Sequence, residues 1–200
     1  MPKVDEEHKQ ARRGQIVEAA IKCFSRKGFH PATMQDICKE AGLSAGAVYS
    51  YFKSKEEIIQ VMAQTSAEQN DAIFASIQQD MPVREALAYI KDIFFRQMLE
   101  QPLAQECGRM DLMLMGEALS DPTIMQAYQS NIQRFVEQLS KLIRRGKTRG
   151  ELKQAVDEHA LASLLFATHQ GLMIQMLLNQ NVNTKEYDKV MDVMINSLFG

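Results

Sequence analysis

An all-α fold of about nine helices is what this sequence predicts, on three observations. Apolar residues recur at three- and four-residue spacing from Ile16 to Leu198. Strand-like alternation is absent throughout. The periodic runs are separated by residues that start and stop helices: Gly28, Gly42, Ser54, Asp121-Pro122 and Asp157. Hydrophobic residues make up 46% of the 200, enough for a real core.

The first helix places Ile16, Ala19, Ala20, Cys23 and Phe24 on one face and stops at Lys27-Gly28. Thr33-Met-Gln-Asp36 reads as a capping box, followed by Ile37, Cys38 and Ala41 as the inner face and Gly42 as the stop. Ser44 is the next N-cap. Ser54-Lys-Glu-Glu57 opens a long helix whose inner face reads Ile58, Ile59, Met62, Ser66, Ile73, Phe74 and Ile77. Met81-Pro82 precedes a helix from Val83 to Leu99, and Pro102 restarts the chain into Leu103–Leu119. Asp121 caps the following helix, with Pro122 in its first position. That helix ends in RRGKTRG, cations suited to the negative end of the helix dipole. Asp157 and Thr184 are the expected caps of the last two.

Several classes are disfavoured. The three cysteines are odd in number and form no C-x-x-C, so neither a disulfide framework nor a zinc knuckle is expected. Cys23 and Cys38 read as small core residues. His8, His30, His159 and His169 make no metal-spaced pair, and no nucleophile–base set stands out. The expectation is therefore no enzyme, no metal and no cofactor. No apolar run approaches the ~20 residues that span a bilayer. The N-terminus lacks the apolar core of a signal peptide. A cytoplasmic protein without a membrane partner is expected. Charge is unevenly spread. Residues 1–55 hold ten Lys/Arg against six Asp/Glu, a net +4, and residues 56–200 hold thirteen against nineteen, a net −6. That split suits a small module for a polyanion on a body with another task.

The stretch AGLSAGAVYSYFKSKEEI, from Ala41 to Ile58, carries hydroxyls, aromatics and lysines and no acid between Gly42 and Ser54. With Thr33–Ala41 it outlines a helix-turn-helix. Its second helix must bring its N-terminal residues against base edges in the major groove. Ala45, Gly46 and Ala47 keep that leading edge slim. Ser44, Tyr49, Ser50 and Tyr51 offer hydroxyls to phosphates and bases. Lys53 and Lys55 are placed for the flanking backbone. Val48 and Phe52, four apart, face inward.

These residues also carry a resemblance. TMQDICKEAGLSAGAVYSYFKSKEEII, with IVEAAIKCFSRKGFHPAT before it, resembles the N-terminal signature of the TetR family of transcriptional regulators over about residues 12–60. The resemblance implies a helix-turn-helix DNA-binding domain over residues 1–53 and a ligand-binding and dimerisation domain over 54–200. It implies phosphate or groove contacts by Thr33, Ser44, Ala45, Gly46, Ala47, Tyr49, Tyr51 and Lys55. Arg12 and Arg13 either reach a neighbouring phosphate or the minor groove, or form a solvated helix start. Ala45 and Ala47 can touch only a thymine methyl, so base reading leans on Gln35, Ser50 and DNA shape.

The resemblance further implies a cavity in the body whose occupation resets the spacing of two DNA-binding modules. The methionine-rich MDLMLMGEAL and nearby helices supply the expected ligand contacts: Phe94, Met98, Met110, Asp111, Met113, Leu114, Phe135, His169 and Met173, with Glu117 a further carboxylate. His169 reads more readily as a hydrogen-bonded core histidine than as a ligand group. An apolar or amphipathic effector is expected, a cationic amphiphile among the options. LASLLFATHQGLMIQMLL (Leu161–Leu178) is apolar almost all round, hence buried on more than one side. Leu161, Leu165, Thr168, Leu172, Val190 and Met194 are the expected contacts of a two-fold homodimer. Such a dimer reads a near-palindromic double-stranded operator with half-sites about 34–36 Å apart or more. Repression relieved by an effector is the expected role, with activation or ligand-independent DNA binding as the alternatives.

Overall fold

The computed structural model describes residues 2–100, 103–153, 155–178 and 181–199, with the side chains of residues 2–5 left aside. Among these residues the helices are α1 (Pro2–Lys27), α2 (Met34–Ala41), α3 (Ala45–Tyr51), α4 (Lys55–Ala75), α5 (Val83–Glu100), α6 (Ala104–Ala118), α7 (Pro122–Thr148), α8 (Glu158–Leu178) and α9 (Thr184–Ser197). The only extended pairing among them is a single antiparallel bridge, Leu152 to Phe199. Pro102 lies outside the described residues.

Most of the punctuation falls where the sequence placed it. Gly28 and Gly42 adopt φ of +83° and +65°, the left-handed region that ends helices. Thr33 accepts a hydrogen bond from the Asp36 N–H, and the Asp36 carboxylate accepts from the Thr33 N–H, so the capping box is complete. Asp121 accepts from the Thr123 N–H at 2.8 Å, and Asp157 from the Ala160 N–H at 2.7 Å. Two caps differ. Ser54 accepts from the Glu57 N–H at 3.3 Å as expected, but the carboxylate of Glu57 reaches past Ser54 to the Lys53 N–H. The cap of α9 is Asn183, whose carbonyl oxygen accepts from Glu186, and Thr184 is the first helical residue.

Packing divides the chain into two compact units. The first comprises residues 1–66 and 106–128; the second comprises 67–105 and 129–200. The boundary expected at 53/54 thus does not coincide with the packing. α4 starts just after that point, at Lys55, and runs without a break past residue 66, where the first unit's opening segment ends. Met110 and Ala118 of α6, and Ile124, join the apolar core built from α1, α2, α3 and the start of α4. Ile16, Ile37, Val48, Phe52 and Ile58 are fully buried in that core. The core of the second unit joins Val83, Ala86 and Leu87 to Leu139, Ile143 and Ile195.

Gly42 tests the turn directly. A Cβ there would meet nothing within 4 Å, so only backbone conformation opposes a side chain. Gly42→Ala is expected to cost about 1 kcal/mol, the usual penalty of an L-residue in the left-handed region. Urea unfolding of the two proteins should show a lower midpoint at unchanged slope.

Candidate nucleic-acid interface

In the first unit, α3 is held by its inner face and by its ends. Val48 and Phe52 are fully buried, and Tyr51 packs half-buried against the same core. Ser44 caps the helix, its hydroxyl accepting from the Ala47 N–H at 3.2 Å. At the other end the Lys53 ammonium donates to the Tyr49 carbonyl at 2.8 Å. What remains outward is Ser44, Ala45, Gly46, Tyr49 and Ser50, all exposed, with Ala47 half-buried. Tyr49 is 43% exposed, unusual for a large aromatic ring. Gln35 is exposed on α2.

Gly46 has no positive φ, and a Cβ there would meet no atom within 4 Å. Neither backbone nor packing requires glycine, yet it costs a helix interior about 1 kcal/mol relative to alanine.

The acids nearest this surface are neutralised. Asp36 pairs with Lys27 at 2.7 Å, and Glu40 with Arg26. The Lys27 ammonium, then the N–H and hydroxyl of Thr33, hold the Asp36 carboxyl well below the usual carboxylate range. The Lys53 ammonium donates to a carbonyl, while the Glu57 carboxylate takes the N–H of the same residue.

Three of the expected contacts are altered by these details. Lys55 turns back onto the α1–α2 loop, donating to the carbonyls of Phe29 at 2.8 Å and His30 at 3.1 Å, above the Phe29 ring. Its side chain is therefore a staple of the fold. The Thr33 hydroxyl proton is held by Asp36 at 2.8 Å, and that of Ser50 by the Ala47 carbonyl at 2.7 Å. Both oxygens can still accept. Arg12 is held by Gln15 at 2.8 Å, and Arg13 lies over the Phe52 ring. An exposed, carboxylate-free helix start beside a left-handed glycine turn defines a helix-turn-helix nucleic-acid-binding module.

The second unit holds a narrow, largely apolar cavity of about 60 Å³ among α5, α7, α8 and α9. Phe94, Phe135 and His169 line it as the sequence suggested, joined by Phe95, Phe166 and Tyr187. The His169 ring lies 4.7 Å from that of Phe94, and burial lowers its pKa to about 4. Lys91, also in the wall, is clamped by Asp188 at 2.6 Å and Asp192 at 2.5 Å. Burial disfavours its charge, but the two carboxylates outweigh burial and hold its pKa above the usual lysine range.

The methionine-rich helix is a different matter. Met110 and Leu114 pack into the core of the first unit, and Met113 is 38% exposed. Asp111 faces the Tyr128 hydroxyl at 3.5 Å, and burial pushes its carboxyl up. Glu117 meets the His30 imidazole at 2.6 Å. None of these, nor Met98 or Met173, lines the cavity. The expected dimer contacts also divide. Leu165, Thr168 and Leu172 line the cavity, and Leu161 lies in the core. Val190 and Met194 are exposed, at 56% and 38%, with Val193 at 69% and Leu164 at 54%. The outward stripe of α8 therefore runs through Leu164, one residue off the expected register. This two-sided apolar character makes α8 the one helix among the described residues long and apolar enough to cross a membrane, unlike the sequence expectation. The core and cavity contacts of Leu161, Leu165 and Leu172 account for its inward half.

Comparison with known proteins agrees with this class. Residues 16–62 match the family described as bacterial regulatory proteins, tetR family. Residues 94–200 match the C-terminal domain of BetI-type transcriptional repressors. The chain belongs to the TetR family of helix-turn-helix transcriptional regulators. An uncharacterized HTH-type transcriptional regulator of Bacillus subtilis, YfiR, is 27% identical over 182 residues, 86% of this chain and 83% of that protein. The fold is shared with FadR from Bacillus subtilis in complex with stearoyl-CoA, at TM-score 0.78 and 20% identity over 93% of this chain and 98% of that one. It is shared too with a transcriptional regulator from Saccharomonospora viridis in complex with choline, at TM-score 0.71 and 24% identity over 94% of each chain.

Proposed function

We propose that this chain is a homodimeric repressor whose α3 enters the major groove of a near-palindromic operator, and whose release follows effector binding in the cavity of the second unit. The observation that carries the DNA-binding part is the exposed start of α3, free of carboxylates and carrying a glycine that the fold does not require. Two copies of α8 and α9 would pair through Leu164, Val190, Val193 and Met194, an exposed apolar set that suits burial against its own symmetry mate.

The cavity wall favours an apolar or cationic effector over an anionic head group. Its aromatic faces attract organic cations, and His169 adds no positive charge near neutral pH. Lys91 brings one charge but two carboxylates with it. The neighbour with choline agrees with such a pocket; the one with stearoyl-CoA marks the range of ligands this fold holds. DNA and effector then weaken each other by the same factor, because each prefers a different conformer.

The test is binding of purified protein to the DNA upstream of its own gene, measured by footprinting and anisotropy across several salt concentrations. A protected palindrome and a steep salt slope are expected. Tyr49→Ala should weaken binding about tenfold or more, through loss of an exposed ring and hydroxyl, without changing the melting temperature. Binding indifferent to both sequence and Tyr49 would sink this reading.

A further inference from the structure

The cavity leaves unexplained a groove elsewhere in the second unit, between the C-terminal end of α4 and the outer face of α7. Its floor is apolar: Phe74, Ile77 and Leu142. Its rim is basic: Lys141, Arg145 and Arg149, four residues apart and therefore stacked on one face of α7. Gln138 and Gln79 complete it.

Arg145 is the informative residue. Its guanidinium donates to the carbonyls of Gln78 at 3.3 Å and Met81 at 3.1 Å, and pairs with no carboxylate among the described residues. Its Nε–H is buried and has no acceptor there. The side chain as a whole is only half-buried and lines the groove, so its charge is open to an anion there. The flanking charges are only loosely matched. Lys141 lies 3.6 Å from Glu137 and Arg149 lies 3.7 Å from Glu151, while Arg149 also donates to the Gln79 carbonyl at 2.6 Å.

We propose that this groove binds a small amphiphilic oxyanion. Its acidic head would accept from Arg145, with Lys141 and Arg149 on either side, and its apolar portion would lie on Phe74, Ile77 and Leu142. Guanidinium and oxyanion match in geometry as well as in charge. The apolar floor selects for a tail, which a bare inorganic ion lacks. The site differs from the aromatic cavity in residues and in the sign of its charge, so the chain would hold two ligands of opposite preference.

Calorimetry on the full-length protein without DNA tests this independently of the repressor reading. Hexyl phosphate is the probe. Inorganic phosphate, hexanol, hexyltrimethylammonium and phosphatidic acid vesicles are the comparisons. One hexyl phosphate per chain is expected, with inorganic phosphate and hexanol each at least about tenfold weaker and hexyltrimethylammonium silent. Lys141→Gln with Arg149→Gln should weaken hexyl phosphate about tenfold. Lys141→Gln alone, at an exposed position that carries little of the fold, should account for part of that loss. The proposal is overturned if hexyl phosphate fails to bind or binds the double variant unchanged, if the cation binds as well as the anion, or if only vesicles bind.

Discussion

Ala45→Glu is expected to abolish operator binding, by more than about a hundredfold, in a protein as stable as its parent. Ala45 is exposed at the first position of α3. A carboxylate there is favourable to the helix, since it faces the positive end of the dipole, so folding is spared. The same carboxylate would stand where a phosphate or base acceptor must come. Like charges forced together at a desolvated interface cost several kcal/mol, and a dimer would meet that cost at both half-sites. Ala45→Gln has nearly the same shape without the charge, and should lose far less. Anisotropy titrations on the operator, with thermal melts alongside, separate the two effects. Equal binding by Ala45→Glu and the parent would mean that α3 does not enter the groove.

How much of this was legible from the sequence depends on whether a feature is local. The caps at Thr33, Ser44, Asp121 and Asp157, and the left-handed glycines at 28 and 42, follow from the chemistry of single residues and their immediate neighbours. So does the absence of acids along α3. The fate of Lys55 was not legible, because its acceptors, the carbonyls of Phe29 and His30, lie some 25 residues earlier. The body was harder for the same reason. The methionine-rich segment has the composition of a pocket wall, yet periodicity does not say which partner an apolar face meets, and Met110 meets the core of the first unit. For α8, apolar on nearly all sides, no polar stripe fixes the orientation. The face through Leu161, Leu165 and Leu172 turned inward, and Leu164 turned out. Lys91 and Tyr187 were missed altogether as cavity residues. The only signal that would have found Lys91 is the pair Asp188 and Asp192, one turn apart on α9 and awaiting a cation.

The second large effect is acid destabilisation through His169. Its pKa falls from the ordinary 6.5 to about 4, because burial beside Phe94 disfavours the imidazolium. The sign follows from proton counting. Between about pH 6.5 and 4 the unfolded chain binds a proton at this residue and the folded chain does not, so stability rises with pH across that window and falls on acidification. From pH 7 to pH 5 the loss from this one residue is about 2 kcal/mol, with a limiting slope of about 1.4 kcal/mol per pH unit. Above pH 7 both states hold a neutral imidazole and the effect is absent. His169→Gln keeps a polar side chain that does not titrate, and should flatten the pH 5–7 segment of a plot of unfolding free energy, whatever its effect on stability at pH 7. Depressed carboxyls such as Asp36 lose their stabilising contribution at lower pH, below their ordinary value near 3.8, so they do not confuse the window. A filled cavity should shift the same segment. An apolar or cationic effector seated against the neutral ring keeps the imidazole from charging, so in ligand-bound protein the acid loss of stability would run on to lower pH than in free protein, and effector affinity would itself fall on acidification. If parent and His169→Gln show the same pH dependence between 5 and 7, His169 is hydrated or hydrogen-bonded in solution, and the cavity is wetter than its aromatic wall implies.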